Sequence, residues 1–161
     1  MYLSILSSFW GTLYSRYRDA ASKDSDSYFA LGSFLAGALS ADGSTTYHDL
    51  EKGAIPKKYV DYQQAEKWLL ESAKNGHKCS KNLLASVYIK MGKYSEAQIW
   101  ARMCMQEGHH MGSAAYQLGQ IYRLGLGVAS DWKEAARWYR KSAGEGNDAA
   151  KEALRQMGTN Y

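Results

Sequence analysis

The sequence predicts an all-α fold, an α–α superhelix (solenoid) of about three helix-turn-helix repeats with N- and C-terminal capping helices. The 161 residues contain one proline against 15 glycines, which favours helices whose turns are made by glycine. β-Branched residues and turns are too few for a β-sandwich. In addition, alanine, tryptophan and glycine recur at fixed intervals, which is typical of a repeat protein.

The recurring pattern defines the second helix of each repeat. An alanine stands three residues before a tryptophan, and a glycine stands eight residues after it. At this spacing the alanine and the tryptophan share one helix face, so the small residue admits a neighbouring helix and the indole fills the space beyond. The glycine is expected to end the helix in a left-handed cap. The three segments are 65–76, 97–108 and 135–146, with tryptophans at Trp68, Trp100 and Trp138.

A first helix precedes each of these second helices, and a leucine marks its place in the repeat. The interval is 34 residues from Leu84 to Leu118 and 36 residues from Leu118 to Leu154, which is typical of two-helix solenoid repeats. From Leu31 to Leu84 the interval is 53 residues, so the first repeat carries an insert. We expect about eight helices.

The predicted organisation is a single domain over residues 1–161, because stacked repeats share one core. The predicted ranges are an N-terminal capping helix at 1–21, repeat one at 26–76 with an insert at 40–58, repeat two at 80–108, repeat three at 113–146 and a C-terminal capping helix at 148–157.

The apolar N-terminal segment raises the question of an export signal. It lacks a basic region at its start, and its apolar stretch includes Trp10 and Tyr14, so an amphipathic structural helix is the favoured interpretation. We therefore expect a cytoplasmic protein, with a periplasmic location as the alternative. No apolar run approaches the ~18 residues of a membrane span.

Charge and cysteine content argue against several classes of protein. The formal net charge is +4, and 16 acidic residues are interspersed with 20 basic ones, so nucleic-acid binding is not expected. The densest basic set is interpreted as the solvated face of an outer helix. It consists of Lys133, Arg137, Arg140 and Lys141. The two cysteines lack CxxC spacing, and we expect them to be buried small residues rather than a disulfide.

No arrangement of residues predicts a metal, a cofactor or catalysis. His77, Cys79, Cys104 and His109 have the chemistry of zinc ligands. Both histidines, however, follow cap glycines of adjacent repeats, about 10 Å apart, which is too far for the four groups to converge. The sequence contains no phosphate loop, no HExxH and no Ser/His/Asp order.

The third repeat has the most specific sequence pattern, AYQLGQIYRLGLGVASDWKEAARWYRKSAGEGNDAAKEAL. It resembles a Sel-one-like repeat, a branch of the tetratricopeptide-like solenoids. The residues that carry the resemblance are Ala114, Leu118, Gly119, Tyr122, Gly125, Leu126, Gly127, Val128, Asp131, Ala135, Trp138, Tyr139, Ala143 and Gly146. The resemblance covers about residues 26–157, although only MGKYS separates the helices of the second repeat and the first repeat carries the insert.

The resemblance implies a binding module without chemistry of its own. Members of the family are adaptors, and in bacteria they include small proteins that accompany secreted toxins. For this chain the resemblance implies a non-catalytic protein–protein interaction module, and more narrowly an immunity protein that neutralises a cognate bacterial toxin. The alternatives are an adaptor or scaffold in a cell-envelope or signalling complex, and an unrecognised hydrolase or peptidoglycan-fragment binder.

Two regions are predicted to contact the partner. In tetratricopeptide-like stacks the first helices line a concave groove, and the residues two before, two after and five after the leucine face it. Carried over by match, these are Phe29, Ser33, Ala36, Asn82, Ser86, Ile89, Tyr116, Gln120 and Arg123. For Phe29, packing against the N-terminal helix is an equal alternative. The insert is the second region, with Tyr47, Asp49 and Glu51 as candidates, although a merely tolerated insertion is equally well supported.

Overall fold

The structure is a computed structural model that describes residues 2–20, 24–38 and 55–158. Within these ranges the chain forms eight α-helices, one short 3₁₀ helix and no strand, which confirms the predicted all-α class. The helices are α1 Tyr2–Ala20, α2 Ser25–Leu35, α3 Tyr62–Lys74, α4 Ser80–Lys90, α5 Tyr94–Gln106, α6 Met111–Leu124, α7 Trp132–Gly144 and α8 Asp148–Gln156.

By its contacts the chain divides into two units, Met1–Leu83 and Leu84–Tyr161, and the division falls inside α4. The sequence predicts one domain over the same range. Residues 40–54 of the predicted insert at 40–58 lie outside the described residues. The last two residues of the insert belong to the 3₁₀ helix Lys57–Tyr59. None of the helices in the described part of the chain is long and apolar enough to span a bilayer.

In the first unit the main packing is between α2 and α3. Leu31 on α2 and Leu69 on α3 are buried there. Gly32 allows the close approach of the two helices, because a Cβ at this position would lie only 2.6 Å from Leu69 Cγ. A glycine in the first helix therefore faces the residue that follows the tryptophan in the second helix.

An aromatic cluster connects α1 with α2 in the first unit. The ring of Phe34 is fully buried, and among the described side chains it has four aromatic neighbours. The centroid distances are 6.2 Å for Trp10, 5.7 Å for Tyr14, 5.9 Å for Tyr17 and 5.9 Å for Tyr59. Tilted and edge-on aromatic pairs at such distances add to the stabilisation from apolar burial. The apolar spacing of the N-terminal helix is thus explained by packing.

In the second unit α6 packs against α5 and α7, and α8 packs against α7. A Cβ at Gly119 would lie 2.6 Å from the ring of Tyr139, which repeats the arrangement of the first unit. The middle repeat has two small residues at the corresponding positions. Ala85 takes the glycine position, Ala101 follows the tryptophan, and both are buried in one cluster.

Helix ends follow the expected chemistry in both units. The carboxylate of Asp61 caps α3 by accepting from two backbone N–H groups, each at 3.0 Å. The carboxylate of Asp131 caps α7 in the same way, each at 2.9 Å. The predicted left-handed cap glycines are confirmed, with φ values of 84°, 73° and 85° at Gly76, Gly108 and Gly146.

Candidate functional site

Three of the predicted contact residues form a row on α6. Tyr116, Gln120 and Arg123 are spaced by four and three residues, so they share one face of the helix. All three are partly exposed. We refer to them as the α6 row.

Tyr139 of α7 supports the α6 row from the protein interior. Its ring centroid lies 5.5 Å from that of Tyr116, and its hydroxyl accepts a hydrogen bond from Arg123 Nε at 3.3 Å. Burial raises the pKa of Tyr139, and the hydrogen bond from Arg123 opposes this shift. Because one buried side chain positions both ends of the row, a partner has less side-chain entropy to remove on binding.

Four other predicted contact residues are buried, and one of them, Ala36, has no exposed surface. Ser33, Asn82 and Ser86 are only 1%, 0% and 5% exposed, so they offer little surface to a partner. Ser86 Oγ accepts a hydrogen bond from Gln117 Nε2 at 2.6 Å, and Gln117 is the neighbour of Tyr116 on α6. Ser86 therefore contributes to the position of α6 from inside the second unit.

Phe29 of the first unit is half-buried, and its ring contact is with a histidine. The ring of Phe29 stacks on that of His77, with the centroids 4.0 Å apart. His77 Nδ1 lies 3.3 Å from Ser80 Oγ, and His77 Nε2 lies 3.7 Å from Asp26 Oδ1. The fold thus brings together a Ser, a His and an Asp that the order of residues in the chain did not indicate.

The geometry of this Ser/His/Asp group does not favour nucleophilic catalysis. Ser80 is fully buried, and its hydroxyl donates to Ser72 Oγ at 2.8 Å. Ser72 Oγ in turn donates to the carbonyl of Ser25 at 2.7 Å. A nucleophile must be reachable by its substrate, and the carboxylate of Asp26, 87% exposed, is too far from His77 to orient the ring firmly. The hydrolase alternative gains no support here.

The other predicted regions add no site to the described structure. Tyr47, Asp49 and Glu51 of the insert lie outside the described residues. Across residues 2–20, 24–38 and 55–158, no group of three or more His, Cys, Asp or Glu is placed to hold a metal ion. Cys104, one of the zinc candidates, donates through Sγ to the carbonyl of His109 at 2.9 Å.

Comparison with protein-family models gives a match to the Sel1 repeat at residues 25–77 and 112–147, together more than half of the chain. These ranges cover the helix pairs α2–α3 and α6–α7, apart from the first residue of α6. The chain belongs to the Sel1 repeat family. Comparison with curated proteins and with solved structures gives no match. Sel1 repeats generally mediate protein–protein interactions, and the family is typically non-catalytic.

A second surface, which the sequence analysis missed, lies on helices α5 and α7 of the second unit. Ile99 and Met103 of α5 are 56% and 36% exposed, and Arg102 shares their side of the helix. The repeat frame contained the signal, since the positions one before and three after the tryptophan are charged in the other second helices. They hold Lys67 and Glu71 in α3, Ile99 and Met103 in α5, and Arg137 and Lys141 in α7.

Trp138 of α7 is the centre of this second surface. Trp138 is 8% exposed, and its ring has three cationic neighbours among the described residues. The distances from the ring centroid are 5.6 Å to Arg102 Cζ, 5.1 Å to Arg137 Cζ and 5.8 Å to Lys141 Nζ. Arg102 Nη2 also donates to the hydroxyl of Tyr122 at 3.2 Å. We call the surface made by Ile99, Arg102, Met103, Arg137, Trp138 and Lys141 the α5–α7 face.

Proposed function

We propose that the protein is a non-catalytic module that binds a partner protein through the α6 row. The observation that carries this proposal is the support of Tyr116 and Arg123 by the buried Tyr139. Tyrosine and arginine are the residue types that dominate protein interfaces, and a positioned pair reduces the cost of association. Membership in the Sel1 repeat family supports a protein partner.

The partner that we propose is a cognate bacterial toxin, which the protein would bind and neutralise as an immunity protein. The support for this narrower assignment is the resemblance to small Sel-one-like proteins that accompany secreted toxins. The α6 row would supply part of the contact surface. An adaptor role in a cell-envelope or signalling complex predicts a different partner and no effect on toxicity.

Co-expression with a toxin encoded beside the gene tests the immunity assignment. We expect rescue of growth and a complex that co-elutes on gel filtration. If the toxin remains fully active and no complex forms, the immunity assignment is wrong. A complex that forms without rescue of growth would instead support the adaptor role.

Variants of the α6 row test the surface itself. Gln120→Ala combined with Arg123→Ala should weaken the complex about tenfold or more, while the helical circular dichroism signal stays unchanged. The matched control is Arg155→Ala on α8, which removes an exposed arginine paired with Glu152 at 2.7 Å. Equal binding by the double variant and the control would exclude the α6 row as the contact surface.

A further inference from the structure

We propose that the α5–α7 face binds an acidic, amphipathic segment of a protein partner. Apolar side chains of that segment would pack on Ile99 and Met103, and its carboxylates would pair with Arg102 and Lys141. This surface is distinct from the α6 row, so the proposal goes beyond the function proposed above.

Charge on the face favours an acidic partner. Helix α7 contains four basic residues and one acidic residue, Glu134. Glu134 neutralises Arg137 through a contact of 2.7 Å and raises the pKa of Arg137. Arg102 and Lys141 have no ion pair within the part of the chain that the structure describes. Two cations thus remain for carboxylates of a partner, and complementary charge speeds association and selects partners.

Arg102 is held in position before any partner binds. Its guanidinium lies over the Trp138 ring and donates one N–H to Tyr122. Guanidinium has five N–H donors, so most of them remain for a carboxylate, which it can bind in a bidentate way. Stacking on an aromatic ring reduces the side-chain freedom that binding would otherwise remove.

The apolar residues distinguish a protein segment from other anions. Ile99 and Met103 lie on either side of Arg102 along α5, so apolar contacts would flank a carboxylate bound to Arg102. Met103 has a flexible side chain that adapts to varied apolar partners. Single-stranded nucleic acid needs exposed rings on which bases stack, and the ring of Trp138 is too buried for that contact.

The test uses the full chain and a fluorescein-labelled synthetic helical peptide with leucine at every fourth position and glutamate between. Comparison probes are the same peptide with every glutamate changed to lysine, anionic phosphatidylserine vesicles and a single-stranded oligonucleotide. Affinity is measured by fluorescence polarisation for the peptides and the oligonucleotide, and by sedimentation for the vesicles. The methyl NMR signal of Met103 reports the place of binding.

Two variants alter the face, and one serves as a control. Ile99→Lys with Met103→Glu installs at these positions the residues that α3 carries, so the fold should be retained. Lys141→Glu reverses one cation. Leu124→Gln is the control, because Leu124 is 54% exposed and belongs to neither proposed surface.

We expect the glutamate peptide to bind, to shift the Met103 signal and to bind more weakly at high salt. Each face variant should weaken it about tenfold, and Leu124→Gln should leave it unchanged. Failure of the glutamate peptide to bind, or equal binding to the face variants, would overturn the proposal. Tighter binding of vesicles or oligonucleotide than of the peptide would also overturn it. The α6 row variants are not part of this test, so either proposal can fail without the other.

Discussion

Gly119 on α6 faces the ring of Tyr139, and an added Cβ would lie 2.6 Å from two ring carbons. We predict that Gly119→Ala lowers the free energy of unfolding by about 1–3 kcal/mol, because the buried ring must move. The control is Gly144→Ala at the end of α7, where an added Cβ meets nothing within 4 Å and a gain of up to about 1 kcal/mol is expected. Urea unfolding measures both. Equal effects would show that the ring adapts without cost.

Tyr139 should make stability sensitive to high pH. Burial raises the pKa of the folded phenol above its ordinary value of 10.0, despite the opposing hydrogen bond from Arg123. The unfolded chain therefore loses the proton first, so the contribution of Tyr139 to stability is complete below pH 10 and is lost as the pH rises through the folded pKa.

Comparison with Tyr139→Phe isolates this effect from that of the other tyrosines. At neutral pH the variant should be about 1 kcal/mol less stable, because it loses the hydrogen bond from Arg123. Above about pH 10 the difference should shrink, since only the wild-type protein must keep this phenol protonated. Urea unfolding at a series of pH values measures it. A difference that stays constant with pH would contradict the prediction.

At the scale of single residues, the repeat pattern predicted well which residues share a helix face. It predicted less well how exposed each of these residues is. It placed the three tryptophans on one packing face, yet only Trp138 is buried, while Trp68 and Trp100 are half-buried. The resemblance to tetratricopeptide-like stacks assigned Asn82 to a contact surface, and this side chain is fully buried. A helical period fixes which residues share a face. The depth of each residue depends on neighbouring side chains that the period does not specify.

At the scale of the helix, Asp131 is the start signal of α7. Its Oδ1 accepts from the backbone N–H groups of Lys133 and Glu134, which would otherwise lack partners. We predict that Asp131→Ala lowers the free energy of unfolding by about 1 kcal/mol, and that Asp131→Asn, also a good N-cap, retains most of the stability. Chemical denaturation followed by circular dichroism measures both. Equal losses would show that charge, rather than the cap hydrogen bonds, is responsible.

Helix ends were more predictable than the surfaces between them. The cap glycines, such as Gly76 and Gly146, could be located from the sequence. These helices end in a left-handed backbone conformation, which glycine adopts without the steric penalty of a Cβ. The α5–α7 face was missed, although Ile99 and Met103 break a charged pattern visible in the sequence. Its basic half had been interpreted as solvated, and the contact of Arg102 with Trp138 joins residues of two helices that only the fold brings together.

At the scale of the whole molecule, the periodicity explains why the fold class could be predicted and the partner could not. Repeats of 34 and 36 residues indicate helix pairs. These pairs must stack, because one pair cannot bury its own apolar face. The same period recurs whatever the partner, so recognition depends on residues that vary within the frame. In the second unit the two surfaces that we propose for recognition, the α6 row and the α5–α7 face, consist of such residues.

The C-terminal helix α8 packs at the end of the second unit, and destabilising it should affect mainly the helices next to it. Leu154 is fully buried with Ala150 against α7. We predict that Leu154→Ala lowers the free energy of unfolding by about 2–5 kcal/mol, and that the exposed control Arg155→Ala changes it by at most about 1 kcal/mol. Because each helix pair of a repeat protein depends on its neighbours, hydrogen exchange should accelerate first in α7 and α8 and least in α1 and α2. Equal acceleration throughout the chain would show instead that the protein unfolds as one cooperative unit.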